Sequence, residues 1–325
     1  IQEQRLQKEL LRTLIVLVVF MLFAGGMVVG QMVSDHLFDR YVRRVNVTES
    51  EIILRTAGFG HINHGINGTV TIGQGESDDV YAVEPLRDVV FQVLPDWSAW
   101  RGWLPDALLM PLVVCCFAVN VVWRHHKVLR YQGWIVLRRY LLILTLLYIF
   151  RTVTFIVTTV PSPMDDCRPM YIRKDDEEAL HKYLVLFGRM ASGKVTACTD
   201  NIYSGHTTLI TVSVWCFMQY SGAVTLKIYA LLHGLVALLA ILLCRLHYTV
   251  DVIVAMIVAS FVYVTVHYLI QFAMDELYTQ PNPDLTVPGE EQVEKQLLQR
   301  ISWPGILRLV SWVAGMDLRL GKEQQ

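Results

Sequence analysis

Residues 207–246 read TTLITVSVWCFMQYSGAVTLKIYALLHGLVALLAILLCRL, and only two side chains in this stretch are charged, Lys227 and Arg245. A helix needs roughly 20 mostly apolar residues to cross a bilayer. The stretch is therefore long enough for two crossings, which we predict at Thr207–Leu226 and Ile228–Leu246. Inside lipid every backbone N–H and C=O must be bonded within the protein, and an α-helix satisfies that condition. These residues predict a helical hairpin in a membrane.

Four further stretches have the same apolar character. They are Leu11–Val33, Leu104–Trp123, Tyr140–Val160 and Val250–Phe272. The whole chain is 54% hydrophobic and 18% charged, whereas soluble domains are ~45–50% apolar and ~25% charged. The first stretch is too long for a signal peptide, and no small-residue cleavage site follows it. We predict an all-α polytopic membrane protein with six transmembrane helices in one bundle.

The predicted helices divide the chain into three parts. Residues 1–10 form an N-terminal segment expected in the cytosol, residues 11–272 the transmembrane catalytic domain, and residues 273–325 a cytosolic tail. Within the tail, Val293–Arg300 and Ile306–Leu320 combine leucine and tryptophan with basic residues. That pattern is typical of amphipathic helices that lie on a lipid surface.

The distribution of charge orients the predicted helices. The segment Trp123–Arg139 carries five Arg or Lys residues and no acid, which is typical of a cytosolic loop. The connections Ser34–Trp103 and Pro161–His206 and the turn Arg245–Asp251 are then expected on the opposite side. Three arginines just after the first stretch argue against this orientation, but long loops obey the charge rule poorly.

Composition also excludes several classes of function. The net charge of −1 gives no ground for a nucleic-acid partner. Six cysteines in 325 residues are too few for a disulfide scaffold. No cluster of residues has the spacing of metal ligands. We therefore expect neither a metal nor another cofactor.

The first motif with chemical character is Cys198-Thr-Asp-Asn-Ile-Tyr-Ser-Gly-His-Thr207. It ends where the hairpin begins, so Ser204, Gly205 and His206 are predicted at a helix N-terminus. Unsatisfied N–H groups and a partial positive charge at that position suit a phosphate, and Gly205 lets the backbone approach a ligand closely. Asp200 in the same motif either orients His206 or caps the helix.

The second motif, His247-Tyr-Thr-Val-Asp251, lies between the fifth and sixth apolar stretches. Residues four apart share a helix face, so Asp251 would hold one tautomer of His247 and raise its nucleophilicity. A hairpin returns the end of its second helix to the membrane face where its first helix starts. We therefore expect His206 and His247 to meet, whereas His233 and His267, isolated in apolar helices, are expected to be structural.

The two motifs together resemble those of the sphingomyelin synthase family. That family includes ceramide phosphoethanolamine synthases and inositol phosphorylceramide synthases and is related to the lipid phosphate phosphatases. The stretches Glu84–Pro95 and Phe150–Pro163 also resemble segments of the family, so the resemblance covers roughly residues 80–272. Thr199 stands where the family commonly has Gly, a difference that leaves both histidine motifs intact.

The resemblance implies a sphingolipid synthase. Such an enzyme transfers a phospho-headgroup from a glycerophospholipid to ceramide through a phosphohistidine and releases diacylglycerol. It implies that His247, polarised by Asp251, is the nucleophile and that His206 is the general acid and base. The expected substrate-binding residues are Asp200, Ser204, Gly205 and Tyr248. The motifs do not distinguish a choline, ethanolamine or inositol headgroup.

The resemblance also implies a location and partners. We expect an integral protein of the Golgi, another secretory-pathway membrane or the plasma membrane, with a lumenal or extracellular active site. Ceramide, a glycerophospholipid and bulk membrane lipid are the expected partners, and nucleic acid is not one. Whether the chain forms a homo-oligomer stays open.

Two other classes of function stay open. Lipid phosphate phosphatases share Ser-Gly-His and His-x-x-x-Asp, but add Lys-x6-Arg-Pro and an Arg six residues before the second His. Here Ile241 occupies that Arg position, and no lysine lies seven residues before Arg168-Pro169. Arg245 or Arg151 could supply the missing cation. The third class is a non-catalytic lipid-binding or transport protein with the same fold.

Two features of the outer loops have alternative interpretations. Cys167 and Cys198 lie in one polar loop on the predicted oxidising side, so they either form a disulfide or remain free thiols. Trp97, Trp100 and Trp103 precede the second apolar stretch. They either anchor the protein at the membrane interface or stack on a substrate.

Overall fold

The computed structural model describes residues 2–57, 86–123, 132–160, 162–163, 179–191 and 202–278, and helices are the only regular elements in these ranges. They are α1 (Gln2–Ala57), α2 (Val89–Val93), α3 (Leu104–Phe117), α4 (Gln132–Val157), α5 (Ala179–Ala191), α6 (Gly205–Tyr220), α7 (Val224–Leu243) and α8 (Thr249–Tyr278). A 3₁₀ turn at Ser98–Trp100 precedes α3, and a π-helical turn at Ala118–Trp123 continues it. The all-α polytopic fold is confirmed.

Five segments of the described ranges are long and apolar enough to cross a membrane: Glu9–Leu37, Leu104–Val122, Gly133–Val157, Val224–Leu243 and Thr249–Phe272. The predicted count of six is not confirmed, because α6 has only 16 residues. At 1.5 Å per residue, α6 is about 24 Å long, which is shorter than the ~30 Å hydrocarbon core of a bilayer. It ends at Tyr220 rather than at the predicted Leu226, and Ser221–Ala223 form the turn into α7.

The short helix α6 lies at the centre of the bundle, in contact with α3, α7 and α8. Helix α7 turns a row of small buried residues inward, with Ala230, Gly234 and Ala237 spaced three or four apart. A Cβ atom at Gly234 would lie 2.8 Å from the side chain of Val214 on α6. Small residues allow helices in a membrane to approach this closely. The predicted hairpin is therefore a tightly packed pair of helices.

Helix α1 continues well beyond its predicted end at Val33. It runs to Ala57, so the first part of the predicted loop Ser34–Trp103 is helical. No Gly or Pro occurs between residues 31 and 57, and nothing local interrupts the helix. Ser34 is buried and donates from its hydroxyl to the carbonyl oxygen of Phe155 on α4 at 2.9 Å. This contact holds α1 on α4 just past the predicted end of the helix at Val33.

Two basic residues predicted in a cytosolic loop are buried in α4. Arg138 is fully buried and donates from Nη1 to Oε2 of Glu9 on α1 at 2.6 Å, while Arg139 is 6% exposed. Arg12 donates to the other oxygen of Glu9 at 2.8 Å. The assignment of residues 132–139 to a loop was wrong because Glu9, about 130 positions away in the sequence, supplies the counter-charge that a buried guanidinium requires.

The two isolated histidines in the apolar helices are hydrogen-bonded inside the bundle. His233 lies 2.7 Å from the carbonyl oxygen of Leu108 through Nε2, and His267 lies 2.9 Å from that of Tyr263 through Nδ1. The hydroxyl of Tyr220 donates to Nε2 of His267 at 2.8 Å. These partners support the structural role that we expect for both histidines.

We predict that Glu9→Gln destabilises the folded protein by about 3–5 kcal/mol, because it leaves Arg138 buried without a full counter-charge. Thermal unfolding in detergent micelles measures the effect. Arg12→Gln is the control, since Arg12 is 28% exposed and its removal leaves the buried pair of Glu9 with Arg138 in place. Wild-type unfolding temperatures for both variants would show that the buried pair does not hold α1 on α4.

Candidate active site

The N-terminus of α6 is capped by Ser204. Its side chain is completely buried, and its Oγ accepts the backbone N–H of Thr207 at 3.3 Å. Ser204 has an extended backbone conformation (φ −60°, ψ 119°), which is usual for an N-cap residue. Gly205 and His206 are the first two residues of the helix, where backbone N–H groups have no partner within the helix. The predicted helix start is thus observed, with the Ser204 hydroxyl engaged in capping.

Arg151 of α4 lies directly against Gly205. A Cβ atom at position 205 would overlap Nη1 of Arg151, so only glycine leaves room for the guanidinium. Arg151 is 7% exposed. The arrangement places a permanent positive charge beside the positive end of a helix dipole, and both attract an anion. Of the two cations considered from the sequence, Arg151 is the one at this helix start.

The imidazole of His206 is paired with Asp106, in the first turn of α3. Nε2 of His206 donates to Oδ1 of Asp106 at 3.0 Å, because an ionised carboxylate only accepts. The side chains are 28% and 65% exposed. Sequence reasoning missed Asp106, since an acid in the first turn of a helix is common for helix-dipole reasons alone and no local pattern links it to a residue 100 positions away.

His247 and Asp251 are close, but not on one helical face as predicted. His247 lies in the turn before α8, and Asp251 is the third residue of that helix. Oδ2 of Asp251 accepts the backbone N–H of Tyr248 at 3.0 Å, which is half of a capping box. Nδ1 of His247 lies 4.0 Å from the same oxygen, which is longer than a hydrogen bond. The carboxylate thus faces the ring as an electrostatic partner while it caps the helix.

The two histidines meet, as their positions on the hairpin predicted. Their ring centroids are 6.4 Å apart, with the ring planes tilted by 57°. The two side chains differ in solvent exposure: that of His247 is 8% exposed and that of His206 is 28% exposed. A small group such as a phosphoryl group can contact both rings at this separation.

Burial lowers the pKa of His247 well below its ordinary value of 6.5. The positive charge of Arg151 lowers it further, and His206 has a smaller effect in the same direction. His247 is therefore the neutral imidazole at physiological pH. A neutral imidazole has a nitrogen lone pair that is available for attack on phosphorus.

Tyr248 lies under the site rather than in it. It is 2% exposed, and its hydroxyl accepts the backbone N–H of Leu86 at 2.9 Å. Its ring stacks on Phe91 with a centroid separation of 6.0 Å. Arg245 contacts the Phe91 ring, with its guanidinium carbon 5.6 Å from the ring centroid. Arg245 also pairs with Asp96 at 3.1 Å. Both residues thus hold the segment before α3 in place.

Several predicted residues fall beyond the described part of the chain. Asp200 lies outside it, as do Cys167 and Cys198, so the roles predicted for them stay predictions. The predicted amphipathic helices of residues 293–320 also lie outside it. Among the side chains that the structure does describe, no group of three or more His, Cys, Asp or Glu is arranged to hold a metal ion.

Comparison with known proteins shows which proteins this part of the chain resembles. Residues 197–268, which include both histidine motifs, match the PAP2 superfamily C-terminal family. A Caenorhabditis elegans protein named phosphatidylcholine:ceramide cholinephosphotransferase 2 is 27% identical over 209 residues, which are 61% of this chain and 60% of that protein.

Two further relatives carry related names. Phosphatidylinositol:ceramide inositolphosphotransferase of Oryza sativa subsp. indica is 28% identical over 52% of each chain. The human phosphatidylcholine:ceramide cholinephosphotransferase 1 is 34% identical over 134 residues, which are 39% of this chain and 32% of the human protein. The chain thus spans less than two thirds of the length of each of these relatives. The chain is thus similar to proteins named as ceramide phosphotransferases, and its residues 197–268 match the PAP2 superfamily C-terminal family.

Proposed function

We propose that the protein is a membrane enzyme that transfers a phospho-headgroup from a glycerophospholipid to the primary hydroxyl of ceramide and releases diacylglycerol. One observation supports this most directly: His206 and His247, with ring centroids 6.4 Å apart, face each other beside Arg151 at the start of α6. The names of the relatives give the same class of reaction, with choline in some and inositol in others.

In the first step, a ring nitrogen of His247 attacks phosphorus. An N–P bond forms, the bond between phosphorus and the diacylglycerol oxygen breaks, and His206 donates a proton to that oxygen. The imidazole of His247 gains positive charge as the N–P bond forms. The carboxylate of Asp251, 4.0 Å from Nδ1, stabilises that charge. The phospho-headgroup is then carried on His247.

In the second step, the hydroxyl oxygen of ceramide attacks the same phosphorus. His206 is now neutral and takes the hydroxyl proton, while the N–P bond to His247 breaks. Asp106 accepts the Nε2–H of His206 at 3.0 Å. It fixes the ring orientation in both steps and stabilises the imidazolium that acts as the acid in the first. The two steps return both histidines to their starting states.

Charge on the phosphoryl oxygens is stabilised by fixed groups. The backbone N–H groups of Gly205 and His206 have no partner within the helix, and the Arg151 guanidinium lies against Gly205. Such preorganised donors commonly contribute most to catalysis when negative charge develops in the transition state. These groups take the place of the Lys and Arg side chains of the lipid phosphatase motifs, which this chain lacks at the corresponding positions.

Both substrates are lipids, so the site must open to the bilayer edge. Trp97, Trp100 and Trp103 form a stacked row before α3, with exposed fractions of 41%, 50% and 57%. Exposed tryptophans are typical of the level of the lipid headgroups. Asp106 lies three residues after Trp103, in the first turn of α3. We place this face in the lumen of the secretory pathway or outside the cell, on the basis of the resemblance.

We predict that His206→Ala, His247→Ala and Asp251→Ala each reduce transfer by at least about 10²-fold, since each removes an acid, a nucleophile or its charge partner. The measurement uses fluorescent ceramide in membranes that contain choline, ethanolamine and inositol donors, with mass spectrometry of the products. His233→Gln is the control, because an amide can replace its bond to Leu108. Normal turnover by His247→Ala would exclude the covalent mechanism. Hydrolysis of the donor without transfer would indicate a phosphatase, and binding without any reaction a lipid-binding protein.

We also predict that Gly205→Ala reduces turnover by about 10²-fold, because the new methyl group displaces Arg151 from the phosphoryl oxygens. Gly222→Ala is the matched control, since a Cβ atom there would meet nothing within 4 Å. The same ceramide assay, normalised to folded protein in the membrane, compares the two variants. Equal activity of the two would show that the contact between Gly205 and Arg151 has no catalytic role.

A further inference from the structure

The segment Leu86–Leu94, which includes α2, has no part in the reaction described above. It nevertheless lies against the turn that carries His247. We call it the clamp segment. Its aspartate, Asp88, accepts the backbone N–H of Thr249 through Oδ2 at 2.6 Å and the Thr249 hydroxyl through Oδ1 at 3.0 Å. Oδ1 also accepts the N–H of Val90 at 2.9 Å. Both carboxylate oxygens are therefore engaged.

Thr249 has a particular position in the site. It is the first residue of α8, two residues after His247 and two before Asp251. A carboxylate bound to the first N–H of a helix both satisfies that donor and complements the helix dipole. Asp88 therefore holds the point of the backbone from which both His247 and Asp251 extend.

The rest of the clamp segment contacts the turn on both sides of His247. Leu86 donates its N–H to the hydroxyl of Tyr248 at 2.9 Å, and Phe91 stacks on the Tyr248 ring. On the other side, Arg245 lies over the Phe91 ring and donates to the Phe91 carbonyl oxygen at 3.4 Å. Arg245 has φ +50°, a left-handed conformation that a non-glycine residue adopts at a cost. These contacts hold the turn in that conformation.

From these contacts we infer that Asp88 is a positioning residue for the transfer reaction. It fixes the His247 ring relative to His206 and Asp251 by holding the N-terminus of α8. The same stretch of chain continues into α3, where Asp106 orients His206, so residues 86–106 contact both the turn that carries His247 and the side chain of His206. This inference rests on the proposed function, because it concerns the same reaction.

The test substitutes Asp88→Asn. An asparagine side chain keeps the shape of aspartate but has only one acceptor oxygen, whereas both oxygens of Asp88 accept hydrogen bonds. We expect kcat to fall at least about tenfold, because a misplacement of ~1 Å can cost about 10²-fold in rate. The KM values of donor and ceramide should stay within about twofold, since Asp88 contacts neither lipid. In single-turnover experiments with a headgroup-labelled donor, formation of the phosphoenzyme should slow by the same factor as kcat. The fraction transferred to ceramide rather than to water should stay unchanged.

Asp96→Asn is the matched control. Asp96 also accepts a backbone N–H two residues along, that of Ser98 at 2.8 Å, but among the side chains that the structure describes it has no bond to α8. Its pair with Arg245 is between side chains that are 34% and 44% exposed, and such pairs contribute little. Asp96→Asn should change kcat by less than about twofold.

A second pair of variants keeps the inference testable where Asp88→Asn fails to fold. Thr249→Val removes only the hydroxyl that bonds Asp88, and Thr249→Ser retains it. We expect kcat to fall for the valine variant and to be restored in the serine variant, at equal unfolding temperatures. Wild-type kcat for both Asp88→Asn and Thr249→Val would overturn the inference, as would a loss matched by an equal loss of folded protein. If His247→Ala retains transfer, the proposed function itself is wrong, whatever Asp88→Asn does.

Discussion

Close packing of α6 on α7 is the constraint on which the site depends. The two helices are antiparallel neighbours, and the absence of a side chain at Gly234 allows them to approach. Because α7 ends at the end of the bundle where α6 begins, Ser204–His206 and the turn at His247 lie close together. A larger residue at the helix crossing would separate the two rings, so a feature of membrane packing determines the chemistry.

Polar groups inside this bundle fall into two sets with different consequences. At one end, Glu9 and Arg138 neutralise each other and join α1 to α4. At the other, Arg151 lies at the start of α6 beside an imidazole whose pKa it helps to lower. A buried cation next to a buried neutral base favours an incoming anion, because the anion compensates the positive charge of the cation. The same physics thus stabilises the fold at one end and prepares a phosphate site at the other.

The sequence predicted the parts of this structure that depend on local patterns. The hairpin, the helix start at Ser204 and the approach of His206 to His247 follow from apolar runs and short motifs. The partners of these residues did not follow, because Asp106 and Asp88 lie 100 and 161 positions from the residues that they bond. Arg138 was misassigned for the same reason: a charge rule for loops cannot anticipate a distant carboxylate. The continuation of α1 past Val33 was missed because the polar residues after Val33 were interpreted as the end of the helix, although none of them interrupts it.

We propose that His247 carries the phospho-headgroup between the two lipids. The most direct test is rapid quenching of the enzyme with a headgroup-labelled donor in the absence of ceramide, followed by peptide mass spectrometry at mildly alkaline pH. We expect an acid-labile headgroup phosphate on His247 that disappears when ceramide is added, together with formation of labelled product. Full conversion of ceramide by an enzyme that never carries label on His247 would contradict it.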